Sequence, residues 1–172
     1  ASLSRALPAI DIVGLAGASI KESSTRVKSA LNLLSNSLEE AKLPPLRINI
    51  NLSPSGVRKD GSHFDLGIAL LIMLQKRHFN DDFFVFGELG LDGAVKSSAE
   101  LFSILLFLST QVSSAKILLP KDIALKAAMI PNFEVYAISS LEEAFYFFTN
   151  DEFASSKKVQ ASHPLFEKTI KI

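Results

Sequence analysis

Hydrophobic positions along the chain switch between a period of two and a period near 3.6, and each switch predicts an element. Residues 9–17, rich in isoleucine and valine at Ile10, Ile12 and Val13, predict a strand entering a turn at Gly14 and Gly17. Ser19 with Glu22 has capping-box spacing and starts a helix running to about Leu38. Val27, Ala30, Leu31 and Leu34 share one face of it, and Lys21, Arg26 and Lys28 share the other. Pro44 and Pro45 end that unit. Residues 47–52 then alternate, with Ile48, Ile50 and Leu52 on one side and Arg47, Asn49 and Asn51 on the other, as in a half-buried strand.

A polar, glycine-bearing loop follows over residues 53–61. Ser62 and Asp65 form a second capping box, opening a helix from His63 to about Gln75. That helix is apolar nearly all round, so it is predicted to be central and buried. Residues 82–89 predict one strand, and Gly90-Leu91-Asp92-Gly93 turns it into a short return strand over 94–96. Ser97 with Glu100 caps a helix to about Thr110. Beyond it come a strand at 117–119, a helix at 122–129 and a strand at 134–138. Ser140 with Glu143 caps a last helix to about Phe148.

The order β-α-β-α-β-β-α-β-α-β-α places the chain in the α/β (α+β) class. The central hairpin requires a mixed sheet rather than a purely parallel one. Residues 1–148 form the domain, and residues 149–172, where polar residues dominate, read as a linker or tail. At 172 residues and 48% hydrophobic the chain suits one domain with a sizeable core. The start at Ala1 has neither an initiator methionine nor a signal-peptide pattern, and reads as that of a trimmed fragment.

Charge and chemistry narrow the functions. A net charge of zero argues against a surface that is basic throughout, though a local basic patch remains compatible with it. With no cysteine, disulfide scaffolds, zinc knuckles and thiol catalysis are excluded. No apolar run of about 18 residues predicts a membrane helix. No glycine-rich turn ends in Gly-Lys-Ser/Thr, so no phosphate-binding P-loop is present.

His63, His78 and His163 are scattered, and Asp81-Asp82 and Asp60/Asp65 read as surface carboxylates and a cap, so no metal site is predicted. Ser53, Ser55 and Ser62 lie near Lys59, but the capping role of Ser62 weighs against a nucleophile. Arg58 and Lys59 in the loop, with Arg26 and Lys28 on the first long helix, are the candidates for contact with a phosphate backbone. The alternative for these cations is a solvated face. No aromatics interleave with them, so base stacking has no support.

Several stretches taken together resemble a known family: Leu7 to Leu15, Ile20-Lys21-Glu22-Ser23, Arg47 to Pro54, Arg58-Lys59-Asp60-Gly61-Ser62-His63-Phe64-Asp65-Leu66, and Gly87-Glu88-Leu89-Gly90-Leu91-Asp92-Gly93. They are similar to the N-terminal domain of the ComM/YifB magnesium-chelatase-like (ChlI-type) AAA+ ATPases. The resemblance implies a ribosomal protein S5 domain 2-like fold, shared with the Lon proteolytic domain and the RadA C-terminal domain. It implies a cytoplasmic protein whose missing AAA+ motor holds ATP and magnesium, with no cofactor in this stretch. Its implied partners are DNA, the motor itself and further copies in a hexamer, with no membrane. The implied activity is ATP-driven branch migration in natural transformation and recombination.

The likeness to Lon places Ser62 at that family's proline, His63 at its nucleophile and Phe102 at its catalytic lysine, so the Ser–Lys dyad reads as absent. The expectation is a non-catalytic domain contributing DNA contact, ring assembly or both. The alternatives are a serine peptidase with an unusual or degenerate site, and a pure oligomerisation module.

Overall fold

The computed structural model describes residues 10–13, 18–42, 48–51, 61–75, 77 and 81–160. β1 (Ile10–Val13), α1 (Ala18–Ser37) and β2 (Ile48–Asn51) form a strand–helix–strand unit. Its strands pair in parallel, Ile10 opposite Ile48 and Val13 opposite Asn51. α1 buries the face that its periodicity predicts, with Val27, Ala30, Leu31 and Leu34 nearly inaccessible. Val27, Leu31 and Leu34 are each worth about 1.5–3 kcal/mol of burial, and Ala30 less.

The polar loop lies outside the described residues up to Asp60. A single 3₁₀ turn, Ser62–Phe64, leads into α2 (Asp65–Met73). Leu66, Ile68, Ala69, Leu70 and Ile72 are buried, as the apolar run predicts, while Leu71 faces solvent.

The strand expected over 82–89 is broken in two, β3 (Phe83–Val85) and β4 (Glu88–Leu89). The break has a hydrogen-bonding cause. Phe86 still donates its backbone N–H to Leu118 (3.2 Å), but Gly87 donates to His63 O (2.9 Å) and accepts from Leu66 N (3.0 Å). The chain thus leaves one sheet to lie against the start of α2. β4 then pairs antiparallel with β5 (Val95–Lys96) through the predicted turn, where Gly93 has φ 81°.

β6 (Ala115–Pro120) sits between β3 and β7 (Phe133–Ile138), all parallel. Parallel and antiparallel pairs are both present as expected, but among the described residues they fall in separate sheets rather than one mixed sheet. α3 (Leu101–Gln111) and α4 (Lys121–Ala127) contribute to one hydrophobic cluster, with Ile117, Leu119 and Val135. α1, α2 and α5 (Leu141–Phe147) contribute to another, with Leu118 and Ile138. The strands therefore distribute their side chains with a period of two between two apolar layers.

Helix starts follow the capping pattern unevenly. At α5 the cap is real: Ser140 Oγ accepts from Glu143 N (3.1 Å), and the Glu143 carboxylate reaches back one residue further, accepting from Ser139 N (2.7 Å). At Ser97 it is not, because Ser97 donates both N–H and Oγ–H to Asp122 of α4, and α3 begins later, at Leu101, without a side-chain cap. Past Thr149, where polarity predicts a linker, the chain is instead structured as far as residue 160. Asn150 caps α6 (Asp151–Ser156) by accepting from Phe153 N, and Val159 N donates to Val135 O at the edge of β7.

Candidate functional site

The described part of the signature loop, Gly61 to Asp65, is held from three sides. Gly61 adopts φ 111°, a region that L side chains rarely enter. A Cβ there would lie 2.5 Å from His63 Cε1, so space as well as conformation demands glycine. Gly87 is constrained by space alone, since a Cβ would meet Val95 Cγ1 at 2.7 Å. The exchange of backbone bonds between Gly87 and His63/Leu66 therefore depends on both glycines.

Ser62 and Asp65 do not cap α2 as their spacing predicts; neither the 3₁₀ turn nor α2 has a side-chain cap. Tertiary partners claim both side chains instead. Ser62 Oγ donates to the Glu88 carboxylate across the turn. Asp65, with no accessible side-chain surface, accepts a forked pair of bonds from Arg26, Nε at 2.6 Å and Nη2 at 3.2 Å. It also accepts from Leu89 N at 3.2 Å, while Arg26 Nη2 donates to Ser23 Oγ at 3.0 Å. The hydrogen bond that Arg26 donates to Asp65 raises the Arg26 pKa above its ordinary value, against a partial opposing effect of burial. α1, α2 and the β4–β5 hairpin thus meet at one buried carboxylate.

His63, 7% exposed, lies beside the Phe64 ring at 4.2 Å between centroids and near Phe86 at 6.4 Å. Its Nδ1 has no hydrogen-bond partner. Burial lowers its pKa, outweighing the attraction of Glu100 and Asp65 for the charged form. The imidazole is therefore a neutral filler beneath Gly61.

Of the four cations singled out in the sequence, Arg58 and Lys59 lie outside the described residues, as does Asp60. Arg26 is 21% exposed at its side chain and its fork is occupied by Asp65; Lys28 is half-buried on α1. His78 and His163 also lie outside the described residues, and among those described no group of acidic or histidine side chains could hold a metal. Likewise, no described helix is long and apolar enough to cross a membrane.

Two features escaped the sequence reading. Phe102, the counterpart of the Lon lysine, has the Lys126 ammonium 3.8 Å above its ring centroid, a neighbour 24 positions away in the chain. Separately, a cavity of about 550 Å³ opens between β3, β7, α5 and α6, walled by Phe83, Tyr136, Phe147 and Phe148 with Arg77 and Lys116 among its lining. The aromatics sit edge to face, centroids 5.0–5.7 Å apart. In sequence they read only as ordinary core residues.

Comparison with known proteins agrees with the signature motifs. The family model described as subunit ChlI of magnesium chelatase matches residues 1–123. The competence protein ComM of Haemophilus influenzae is 30% identical over 155 residues, covering 87% of this chain and 29% of that protein. The YifB protein of Escherichia coli is 33% identical over 98 residues, covering 55% of this chain and 18% of its own length. A protein of Mycobacterium bovis is 28% identical over 145 residues, 82% of this chain and 28% of the relative. The chain spans less than a third of the length of each of these relatives.

Proposed function

The chain belongs to the ChlI magnesium-chelatase family, and on that premise we propose that it is the non-catalytic domain of an ATP-driven DNA-remodelling protein in the cytoplasm, contributing DNA contact, ring assembly or both. The rest of such a protein would be a AAA+ motor holding ATP and magnesium, with DNA, that motor and further copies in a hexamer as partners. An S5 domain 2-like fold of the Lon and RadA kind goes with this reading.

The observation that carries the reading is the state of the signature turn. Its polar side chains are spent on holding the fold: Ser62 on Glu88, Asp65 on Arg26 and Leu89, and His63 as a neutral filler. Arg58 and Lys59 stand immediately before this anchored turn in the sequence, so the loop works by binding. The competence role printed for the ComM relative supports nucleic acid as what is bound. Because the Arg26 fork is already occupied, Arg58 and Lys59 supply most of the contact, with Lys28 and Arg26 secondary.

Arg58→Ala/Lys59→Ala should weaken DNA binding and reduce the salt slope by about one to two, since each lost phosphate contact releases about one counterion less. Titrating labelled DNA over a salt series checks this. An unchanged affinity at low salt would end the assignment.

A second reading, a Lon-like serine peptidase, gains support from Lys126, whose amine occupies the neighbourhood of Phe102. It loses support from Ser62, which donates to a carboxylate rather than to an amine. Labelling of Ser62 by a fluorophosphonate probe, abolished by Lys126→Met, would establish it.

A further inference from the structure

The cavity between β3, β7, α5 and α6 has aromatic walls and a charged mouth. Phe83, Phe147 and Phe148 stand pairwise close to perpendicular, at 88°, 87° and 85°, with centroids 5.0–5.5 Å apart. Tyr136 adds a fourth ring, and its hydroxyl is already spent on the Glu134 carboxylate. A cluster of rings packed edge to face accepts one more aromatic ring in the same geometry. From α6 the cavity is lined by the small side chains of Ala154 and Ser155, which leave that space open. Its volume of about 550 Å³ falls within the range of about 300–1,000 Å³ found for small-molecule sites.

The charges that line it are not equivalent. Lys116 is paired with Asp81 at 2.7 Å. Arg77 and Asp151 have no ion-pair partner among the described residues, and they do not pair with each other. The Arg77 guanidinium rests over the buried Phe145 ring, 6.0 Å from its centroid. Asp151 opens α6, where its backbone carbonyl accepts from Ser155 Oγ (2.9 Å) while its carboxylate is left unpaired. One cation and one anion thus stand unspent at the same aromatic cavity.

We infer that this cavity binds a free amino acid with an aromatic side chain, its ring among the four aromatics, its carboxylate on Arg77 and its ammonium on Asp151. The signs of the two charges identify the ligand. An anion would satisfy Arg77 but face repulsion from Asp151, and a cation would meet the reverse. A zwitterion answers both. The same reasoning disfavours a segment of polypeptide, whether from a longer chain or from another protein. Inside a chain the amine and carboxyl groups are neutral amides, and the aromatic walls offer their N–H and C=O groups no hydrogen bonds. A nucleic-acid strand brings phosphate and no cation for Asp151. Binding at this cavity does not rest on the nucleic-acid reading.

Calorimetric titration of the chain with L-phenylalanine tests this directly, and saturable one-to-one binding is expected. Phenethylamine, which lacks the carboxylate, and 3-phenylpropionate, which lacks the ammonium, should each bind at least ~tenfold more weakly. N-acetyl-phenylalaninamide, which mimics a residue within a chain, should bind more weakly still. Arg77→Met should erase the preference for phenylalanine over phenethylamine, and Asp151→Asn the preference over 3-phenylpropionate. Both residues are exposed, so thermal unfolding should not change. Ala154→Phe should abolish binding by filling the cavity. Absence of phenylalanine binding, equal affinity for the blocked amide, or affinities indifferent to both charge variants overturns the inference.

Discussion

The two hydrophobic clusters, both supplied by the β3-β6-β7 sheet, differ in what they tolerate inside. The one beneath α3 and α4 is apolar throughout: Leu101, Leu105, Ile117, Leu119, Val135 and their neighbours. The one built by α1, α2, α5 and the hairpin encloses a carboxylate, Asp65, together with Ser23 and His63. A buried charge contributes little net stability, since desolvation offsets most of its attraction, but removing one partner exposes the full desolvation cost. The cluster with the buried carboxylate thus trades tolerance for geometry: Asp65 makes sense only where Arg26, Leu89 N–H and the Gly61–Phe64 turn all meet it. Nothing comparable constrains the cluster beneath α3 and α4, which needs only apolar groups of the right volume. The described end of the signature loop, Gly61 to Asp65, belongs to the cluster with the buried charge.

The sharpest way to break this contrast is Asp65→Ala, which strands Arg26 and an N–H and should cost about 3–5 kcal/mol, measured by urea unfolding. Arg26→Met/Asp65→Leu should recover part of that, remaining about 1–3 kcal/mol below the parent because Leu89 N–H stays unpaired. A double variant as unstable as the single one would refute the charge-pair account. In the apolar cluster, Leu105→Ala should cost about 2–5 kcal/mol through cavity formation alone, with no dependence on salt.

The smallest expected effect is a matter of pH. The folded-state pKa of His63 lies below its ordinary 6.5, so below that value the unfolded chain binds more protons than the folded one. Stability from this group is complete above pH 6.5 and is lost as pH falls toward the folded pKa. His63→Leu should flatten the stability profile below pH 6.5, where burial holds the folded-state imidazole below its ordinary pKa. An unchanged profile would mean that His63 does not titrate as its burial implies.

Much of the fold was legible because it is local. The alternation of Ile48 and Ile50, the i, i+3, i+4 spacing of Val27, Ala30, Leu31 and Leu34, and the Gly90–Gly93 turn each specify an element within a few residues. Ser140 with Glu143 was legible as a cap for the same reason. Ser62 with Asp65 and Ser97 with Glu100 have the same spacing yet cap nothing, because Glu88, Arg26 and Asp122 offer better partners from far along the chain. The strand expected over 82–89 failed at Gly87 for a similar reason: a competing partner, the His63–Leu66 backbone, lay outside the window that periodicity reads. The tail past Thr149 misled because its supports are tertiary: Phe153 and Ala154 pack against the cluster of α1, α2 and α5, and Lys157 O and Val159 N bond to β7.

By itself, then, the sequence determined most of the element types and the family to which the chain belongs, since these lie in short-range patterns and contiguous motifs. Tertiary structure alone decided what the signature turn is chemically. Whether Ser62 caps, attacks or anchors depends on what stands opposite it, and Glu88 stands 26 residues away. Whether Arg26 is free for a phosphate depends on Asp65, 39 residues away. Hydrogen bonds and ion pairs act over about 3 Å of space, and no spacing along the chain encodes which distant groups folding will bring within that reach.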